Sequence, residues 1–264
     1  MRARPPKAGP PLAERAKQSM RTIKLVIAFQ GTRFEGWQSQ KNGKTLQEVF
    51  EKHLAQILKE KTDLVSSSRT DSGVHARGMA AHFLTKSRLP DAKIQAALNH
   101  YLPEDVVVLS AKTVPASFHA RYGAKYKIYE YVIWNSRVRP AYDLAHFCLW
   151  HTQRLDPSKM RKAAKHLLGK HDFSSFRDSG DEEKDPVRNI HSILIRKSGK
   201  TVRIQIRANG FLRHMVRVIA GTLIEVGRGK IAPEQVMPIL RSKDRRKAGP
   251  TAKAQGLTLL RVQY

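Results

Sequence analysis

The chain has 264 residues, 41% of them hydrophobic, with 9 Phe, 7 Tyr and 3 Trp spread along it. That composition suits one large globular domain or two closely packed smaller ones and argues against disorder throughout. There are 49 Lys and Arg against 22 Asp and Glu, a formal net charge of +27, so a polyanion is the default partner, although a basic surface serving solubility or a Lys-rich helix on a membrane surface would give the same sum. No apolar run reaches the length of about 18 residues that a membrane span needs, and the single cysteine, Cys148, excludes an intrachain disulfide and fits a reducing, cytoplasmic compartment.

Residues 1–20 carry Arg2, Arg4, Lys7, Arg15 and Lys17 with four prolines and no continuous apolar segment. They read as a basic, disordered arm and not as a secretory signal. Such an arm could add nonspecific affinity for RNA or have no role at all.

The first ordered element is expected over Ile23 to Phe29, where Ile23, Leu25, Ile27 and Phe29 alternate on one face of a strand. Thr45-Leu46-Gln47-Glu48 then reads as a capping box that opens a helix carrying Leu46, Val49, Phe50, Leu54, Ile57 and Leu58. A turn at Asp71-Ser72-Gly73 leads into a strand through Ala80 to Leu84. A helix over Asp91 to Tyr101 stops before Pro103, and Val106 to Leu109 is a further strand. From Tyr126 to Trp134, Tyr129, Tyr131 and Ile133 share one face of a strand. Cys148, in Phe147-Cys148-Leu149-Trp150, reads as a buried strand residue, since nothing around it supplies the activation a nucleophilic thiol needs.

Asp156-Pro157 opens a helix ended by Gly169, and Ser198-Gly199 joins Ile190–Lys197 to Thr201–Ala208 as a hairpin. Helices are expected over Phe211 to Val226 and from Pro233 to Arg241, and a last strand over Leu257 to Val262. Strand, helix and strand recur on both sides of a seam near residues 110–122. This predicts an α+β fold of two related halves, 21–110 and 111–264, with no repeat in the residues themselves.

Several familiar motifs are absent. Gly229-Lys230 is no phosphate loop, because Ile231 replaces the required Ser or Thr and Ile224 stands where the leading Gly belongs. There is no Gly-x-Gly-x-x-Gly, Cys-x-x-Cys or His-Glu-x-x-His, so neither dinucleotide nor zinc is indicated. The informative stretch is Ser68-Arg69-Thr70-Asp71-Ser72-Gly73-Val74-His75, a carboxylate between a guanidinium and a glycine turn. Taken alone, it also fits an ordinary Asx-turn in which Asp71 bonds only the backbone.

Arg69, Thr70, Asp71, Gly73, Val74 and His75 match the signature Gly-Arg-Thr-Asp-x-Gly-Val-His, with Ser68 in place of the leading Gly. Six further blocks follow the same pattern: Gly36-Trp37-Gln38-Ser39-Gln40; Phe118-His119-Ala120-Arg121; Tyr129-Glu130-Tyr131; Asp172-Phe173-Ser174-Ser175-Phe176-Arg177; Phe211-Leu212-Arg213-His214-Met215-Val216-Arg217; and Ala252-Lys253-Ala254-Gln255-Gly256-Leu257. On these residues the chain, from about Thr22 to Tyr264, resembles the tRNA pseudouridine synthase A family.

The resemblance implies an enzyme that isomerises uridine to pseudouridine in the anticodon arm of tRNA, as a homodimer without a cofactor or metal. Its fold would be an extended, mainly antiparallel sheet with helices on one side and a central basic cleft. Asp71 would be the catalytic carboxylate and Arg217 its ion-pair partner. Tyr129 would stack on the target base, Arg69 would help hold the flipped nucleotide, and Arg121 and Leu257 would complete the substrate site.

Elementary chemistry agrees with those roles. The reaction breaks C1′–N1, turns the uracil and joins C5 to C1′, with no redox change and no net hydrolysis. An ionised carboxylate can attack C1′ or C6 or take a proton from C2′, and a buried cation stabilises its charged form. The flipped base costs a few kcal/mol, of which stacking on an aromatic ring returns about 1–3 kcal/mol. On the residues alone, core packing is the usual fate of a strand tyrosine such as Tyr129 and Arg217 also fits a surface helix residue, while Tyr131 is the better candidate for plain core. Arg121, Arg137, Arg139, Arg207 and Arg213 are candidate phosphate contacts, with log K falling by roughly 0.7–0.9 per log unit of salt for each phosphate neutralised. Two other readings remain open: an RNA-binding module without the reaction, and an N-glycosidic hydrolase, for which no second carboxylate is evident near Asp71.

Overall fold

The computed structural model describes residues 20–40, 43–180 and 184–264; all but the last residue of the predicted basic arm lies outside them. The strands are β1 (Arg21–Phe29), β2 (Val65–Ser66), β3 (His75–Thr85), β4 (Val106–Val114), β5 (Tyr126–Asn135), β6 (Leu149–His151), β7 (Gly169–Asp172), β8 (Val187–Ser198), β9 (Thr201–Ala208) and β10 (Leu257–Gln263). The helices are α1 (Leu46–Leu58), α2 (Asp91–Tyr101), α3 (Pro157–Lys165), α4 (Met215–Gly227) and α5 (Val236–Ser242).

All ten strands form one sheet in the order β4-β1-β3-β10-β5-β9-β8-β7, with β2 added on β3 and β6 on β5. Pairing is antiparallel except between β10 and β3 and between β5 and β6. The α+β fold and mainly antiparallel sheet are those expected. Period-two alternation decides the faces. Ile23, Leu25 and Ile27 of β1, Tyr129, Tyr131 and Ile133 of β5, and Val202, Ile204 and Ile206 of β9 are all buried in one core. Phe50, Ile94, Met160, Val218 and Leu240, one from each helix, belong to the same core. The opposite face carries polar groups such as Arg203, which pairs with Glu130 at 3.3 Å.

Local chemistry explains the element ends. The Thr45 hydroxyl accepts the Glu48 N–H at 3.4 Å, and Asp156 accepts those of Ser158 and Lys159 at 2.8 and 3.3 Å, satisfying amides that a helix start leaves without partners. The hairpin turns at Gly199-Lys200, with Gly199 at φ +54°.

Four expectations need correction. The fourth helix begins at Met215 and not at Phe211, because His214 takes a left-handed conformation (φ 59°, ψ 0°) that an α-helix cannot propagate through. The segment expected as one helix from Pro233 is a 3-10 turn, Pro233–Gln235, followed by α5. Cys148 is buried as expected but lies in a bend just before β6, its thiol bonded to the Leu144 carbonyl at 2.9 Å and pushed up in pKa by burial. The short strands β2 and β7 were not anticipated. Among the described residues no helix is long and apolar enough to cross a membrane.

Candidate active site

The link between β2 and β3 carries Asp71. Its carbonyl accepts the Val74 N–H at 3.1 Å, with Gly73 at φ +77° making the turn. The segment after β1 grips this loop: Trp37 N–H donates to the Thr70 carbonyl at 3.0 Å, and the Ser72 hydroxyl to that of Phe34 at 3.2 Å. Contact is too close for side chains, since a Cβ on Gly31 would lie 2.0 Å from the Val74 carbonyl oxygen and one on Gly36 2.7 Å from that of Thr70. Trp37 anchors the segment, fully buried and stacked on Phe50 of α1.

His75, the last residue of the signature, closes the loop from the other side. Its Nδ1 accepts the Gly31 N–H at 3.1 Å, which leaves the proton on Nε2 to be donated to the Gln255 carbonyl at 3.2 Å. Burial lowers its pKa, in keeping with this neutral tautomer. Ser68 is not among the residues with positive φ, so the backbone there does not require the glycine of the signature.

Two nitrogens approach the Asp71 carboxylate at one oxygen. Arg217 Nη1 of α4 lies 2.8 Å from Oδ2, and His214 Nε2 3.4 Å from the same atom. Among the described residues no hydrogen bond engages Oδ1. Arg217 Nε also donates to the Ala252 carbonyl at 2.8 Å, which fixes the guanidinium at a second point. His214 Nδ1 is hydrogen-bonded to Asp178 Oδ2. Asp178 in turn is held below the usual carboxylate range, chiefly by the Gly180 backbone N–H, with His214 and Arg213 adding to the effect. A second carboxylate therefore does approach Asp71, one imidazole away, although no paired acid motif lies near Asp71 in the sequence.

Asp71 lines a cleft of about 900 Å³ together with Arg69, Arg121, Lys127, Tyr129, Arg213, His214, Arg217 and Leu257. Tyr129 is 7% exposed and meets Phe211 edge to face, with centroids 5.1 Å apart and planes at 85°. Burial pushes its hydroxyl up to about 12, partly offset by a hydrogen bond with Ser68. Tyr131 is plain core as expected, fully buried with its hydroxyl on the Lys253 carbonyl at 2.8 Å. Leu257 opens β10 and pairs in register with Tyr131.

The fold thus brings Asp71, Arg69, Arg121, Tyr129, Arg217 and Leu257, with Arg213, to one cleft. Arg137, Arg139 and Arg207 lie elsewhere: Arg207 stacks on Tyr126 at 3.8 Å, and Arg139 borders a second cavity of about 850 Å³ with Tyr142, Cys148 and Trp150. Three cleft-side groups escaped the sequence reading. His214 stood in a quoted block but had no assigned role, and no spacing could connect Asp178 with it. Lys127, two residues before Tyr129 on the same strand face, was open to discovery by period two. Its Nζ donates to the Ser67 carbonyl at 2.6 Å, and burial, then Arg121 and Arg188, lower its pKa to about 8. No cluster of three His, Cys, Asp or Glu side chains that could hold a metal ion occurs among the described residues.

Comparison with known proteins bears on this arrangement directly. The family model described as tRNA pseudouridine synthase matches residues 25–123 and 163–264. The tRNA pseudouridine synthase A of Acetivibrio thermocellus is 45% identical over 245 residues, covering 93% of this chain and 100% of the relative. Those of Thermoanaerobacter pseudethanolicus and Geotalea uraniireducens are 45% and 46% identical over 246 residues, with the same coverage. Residues 25–123 hold Asp71 and residues 163–264 hold Arg217, so the match spans both sides of the ion pair: the chain belongs to the tRNA pseudouridine synthase family.

Proposed function

We propose that this protein isomerises uridine to pseudouridine in the anticodon arm of tRNA, with Asp71 as the catalytic carboxylate. The observation that carries the proposal is the state of that side chain: Oδ2 is tied to Arg217 at 2.8 Å while Oδ1 has no hydrogen bond among the described residues, in a cleft that also holds Tyr129.

A carboxylate so held is oriented, with one oxygen available to attack the sugar or base or to take the C2′ proton. Tyr129 offers a ring for the extruded uracil and Leu257 an apolar wall. Arg69, Arg121, Lys127 and Arg213 supply cations for the neighbouring phosphates, consistent with the net charge of +27. Residues 21–110 provide Asp71 and residues 111–264 provide Tyr129 and Arg217, so each half contributes part of the cleft. No cofactor is called for by the chemistry. Assembly as a homodimer in the cytoplasm belongs to the same proposal and rests on the family's organisation; light scattering of the purified protein tests the dimer.

The test uses unmodified tRNA labelled with tritium at uridine C5. Isomerisation releases the label and leaves pseudouridine in the anticodon arm, whereas Asp71→Asn releases none and still binds the tRNA. Binding without release by the wild-type protein would identify a non-catalytic module, and free uracil in the product would identify a hydrolase.

A further inference from the structure

Extruding a uridine disturbs more than the uridine. When its base leaves the stack, the base next to it in the RNA loses a partner on one face, and that loss is part of what extrusion costs. A protein ring laid against the uncovered face recovers some of it. Tyr129 lines the cleft with Asp71 and is taken up by the target itself, so a ring for the neighbour has to stand beside the cleft and not within it.

We propose that Tyr122 is this second ring, and that with Arg121 it forms a subsite for the nucleotide beside the target, the base stacked on Tyr122 and the phosphate held by Arg121. The Tyr122 side chain is 77% exposed, and the Arg121 guanidinium lies 5.5 Å from its ring centroid. Arg121 lines the Asp71 cleft and Tyr122 does not. The pair therefore joins the inside of the cleft to an accessible aromatic surface next to it. Tyr142 is 93% exposed but borders the second cavity, away from Asp71.

A single exposed tyrosine is ordinary on a protein surface; the mounting sets this one apart. His119 Nδ1 accepts the N–H groups of both Arg121 and Tyr122, at 3.2 and 3.1 Å, and the His119 ring lies 4.5 Å from that of Tyr122. The Gly123 N–H closes the turn on the His119 carbonyl at 2.9 Å. Ala120 ties the same turn to β3 and to the end of the chain, its N–H donating to His82 Nδ1 at 3.2 Å and its carbonyl accepting the Tyr264 hydroxyl at 2.7 Å. A ring presented on so fixed a turn loses little freedom when a base stacks on it. The cation beside it is equally prepared. Among the described residues the Arg121 guanidinium has no ion-pair or hydrogen-bond partner, and after burial it is the next cause of the lowered pKa of Lys127. These two cations repel each other in the free protein, and an arriving phosphate relieves both.

The inference rests on the pseudouridine synthase reading, and the experiment separates the two. Tritium release by the wild-type protein first identifies the target uridine. Two further tRNAs keep that uridine and carry an abasic ribose on its 5′ or its 3′ side. Dissociation constants at fixed salt are then measured for Asp71→Asn, alone and combined with Tyr122→Ala or Tyr122→Phe. On intact tRNA, Tyr122→Ala should weaken binding by about 5- to 150-fold, and Tyr122→Phe should stay within about twofold. One of the two abasic tRNAs should bind Asp71→Asn more weakly by a similar factor, and on that tRNA Tyr122→Ala should cost less than about twofold, because ring and base act as one pair. Equal losses from Tyr122→Ala on the intact and both abasic tRNAs, or no loss on any, would overturn the inference. A loss from Tyr122→Phe as large as that from Tyr122→Ala would overturn it too, by assigning the contact to the hydroxyl. A wild-type protein that makes no pseudouridine would instead overturn the underlying reading, whatever these ratios are.

Discussion

Arg217 Nη1 lies 2.8 Å from Asp71 Oδ2 across 146 residues of sequence. The side chains are 16% and 26% exposed, so the contact is partly screened and weaker than a fully buried pair. Arg217→Met should lower unfolding free energy by about 1–3 kcal/mol and single-turnover isomerisation by at least a hundredfold. Arg217→Lys should fall between, because one ammonium on a flexible stem does not reproduce a fork that reaches both Asp71 and the Ala252 carbonyl. Urea unfolding and tritium release measure the two effects separately.

Tyr129 offers a ring whose hydroxyl is kept protonated by burial. Tyr129→Ala should weaken binding of tRNA by roughly 5- to 150-fold, the equivalent of about 1–3 kcal/mol of stacking, and should also loosen the edge-to-face contact with Phe211. Tyr129→Phe should keep affinity within about twofold. Filter binding with Asp71→Asn as the common background reports affinity without turnover.

Lys127 has a folded-state pKa of about 8 against 10.5 for the free side chain. Between those values the unfolded chain binds the extra proton, so stability gains with rising pH there, while below pH 8 the cost of the buried charge is present in full. The stability of wild type relative to Lys127→Met should therefore improve from pH 8 to pH 10.5 by an amount of order 1–3 kcal/mol. Affinity for tRNA should move the other way, falling as the ammonium loses its proton. Paired urea titrations at pH 7 and pH 10 measure the first, and salt-matched binding at pH 7 and 9 the second.

Gly36 combines φ +91° with a position where a Cβ would lie 2.7 Å from the Thr70 carbonyl oxygen. Gly36→Ala should cost about 1–3 kcal/mol of stability and displace the Asp71 loop, so that kcat falls while tRNA affinity holds. Thermal unfolding and steady-state kinetics suffice to separate these effects.

Most of the fold was legible because its signals are local. The α2 helix runs over the expected Asp91–Tyr101, and alternation marked the buried faces of β1 and β5. β7 escaped because Gly-Lys-His-Asp has no apolar alternation to read; it exists by pairing with β8. The start of α4 was misplaced because Phe211-Leu212-Arg213 continues the helical pattern and only the tertiary setting puts His214 at positive φ. The cleft followed the same rule. Asp71, Tyr129 and Arg217 stood in recognisable blocks, whereas the bond between Asp178 and His214 joins a loop to a helix cap that are neighbours only in the folded chain.

The strand Leu257–Gln263 comes after every other described element in sequence, yet it sits in the interior of the sheet, parallel to β3 on one side and antiparallel to β5 on the other. A nascent chain that has not yet emitted this strand from the ribosome holds two facing unpaired edges, which are templates for association with other chains. Leu257, a wall of the cleft, belongs to that strand. Until that strand is in place, β3 and β5 each lack a partner and the cleft lacks the wall that Leu257 provides.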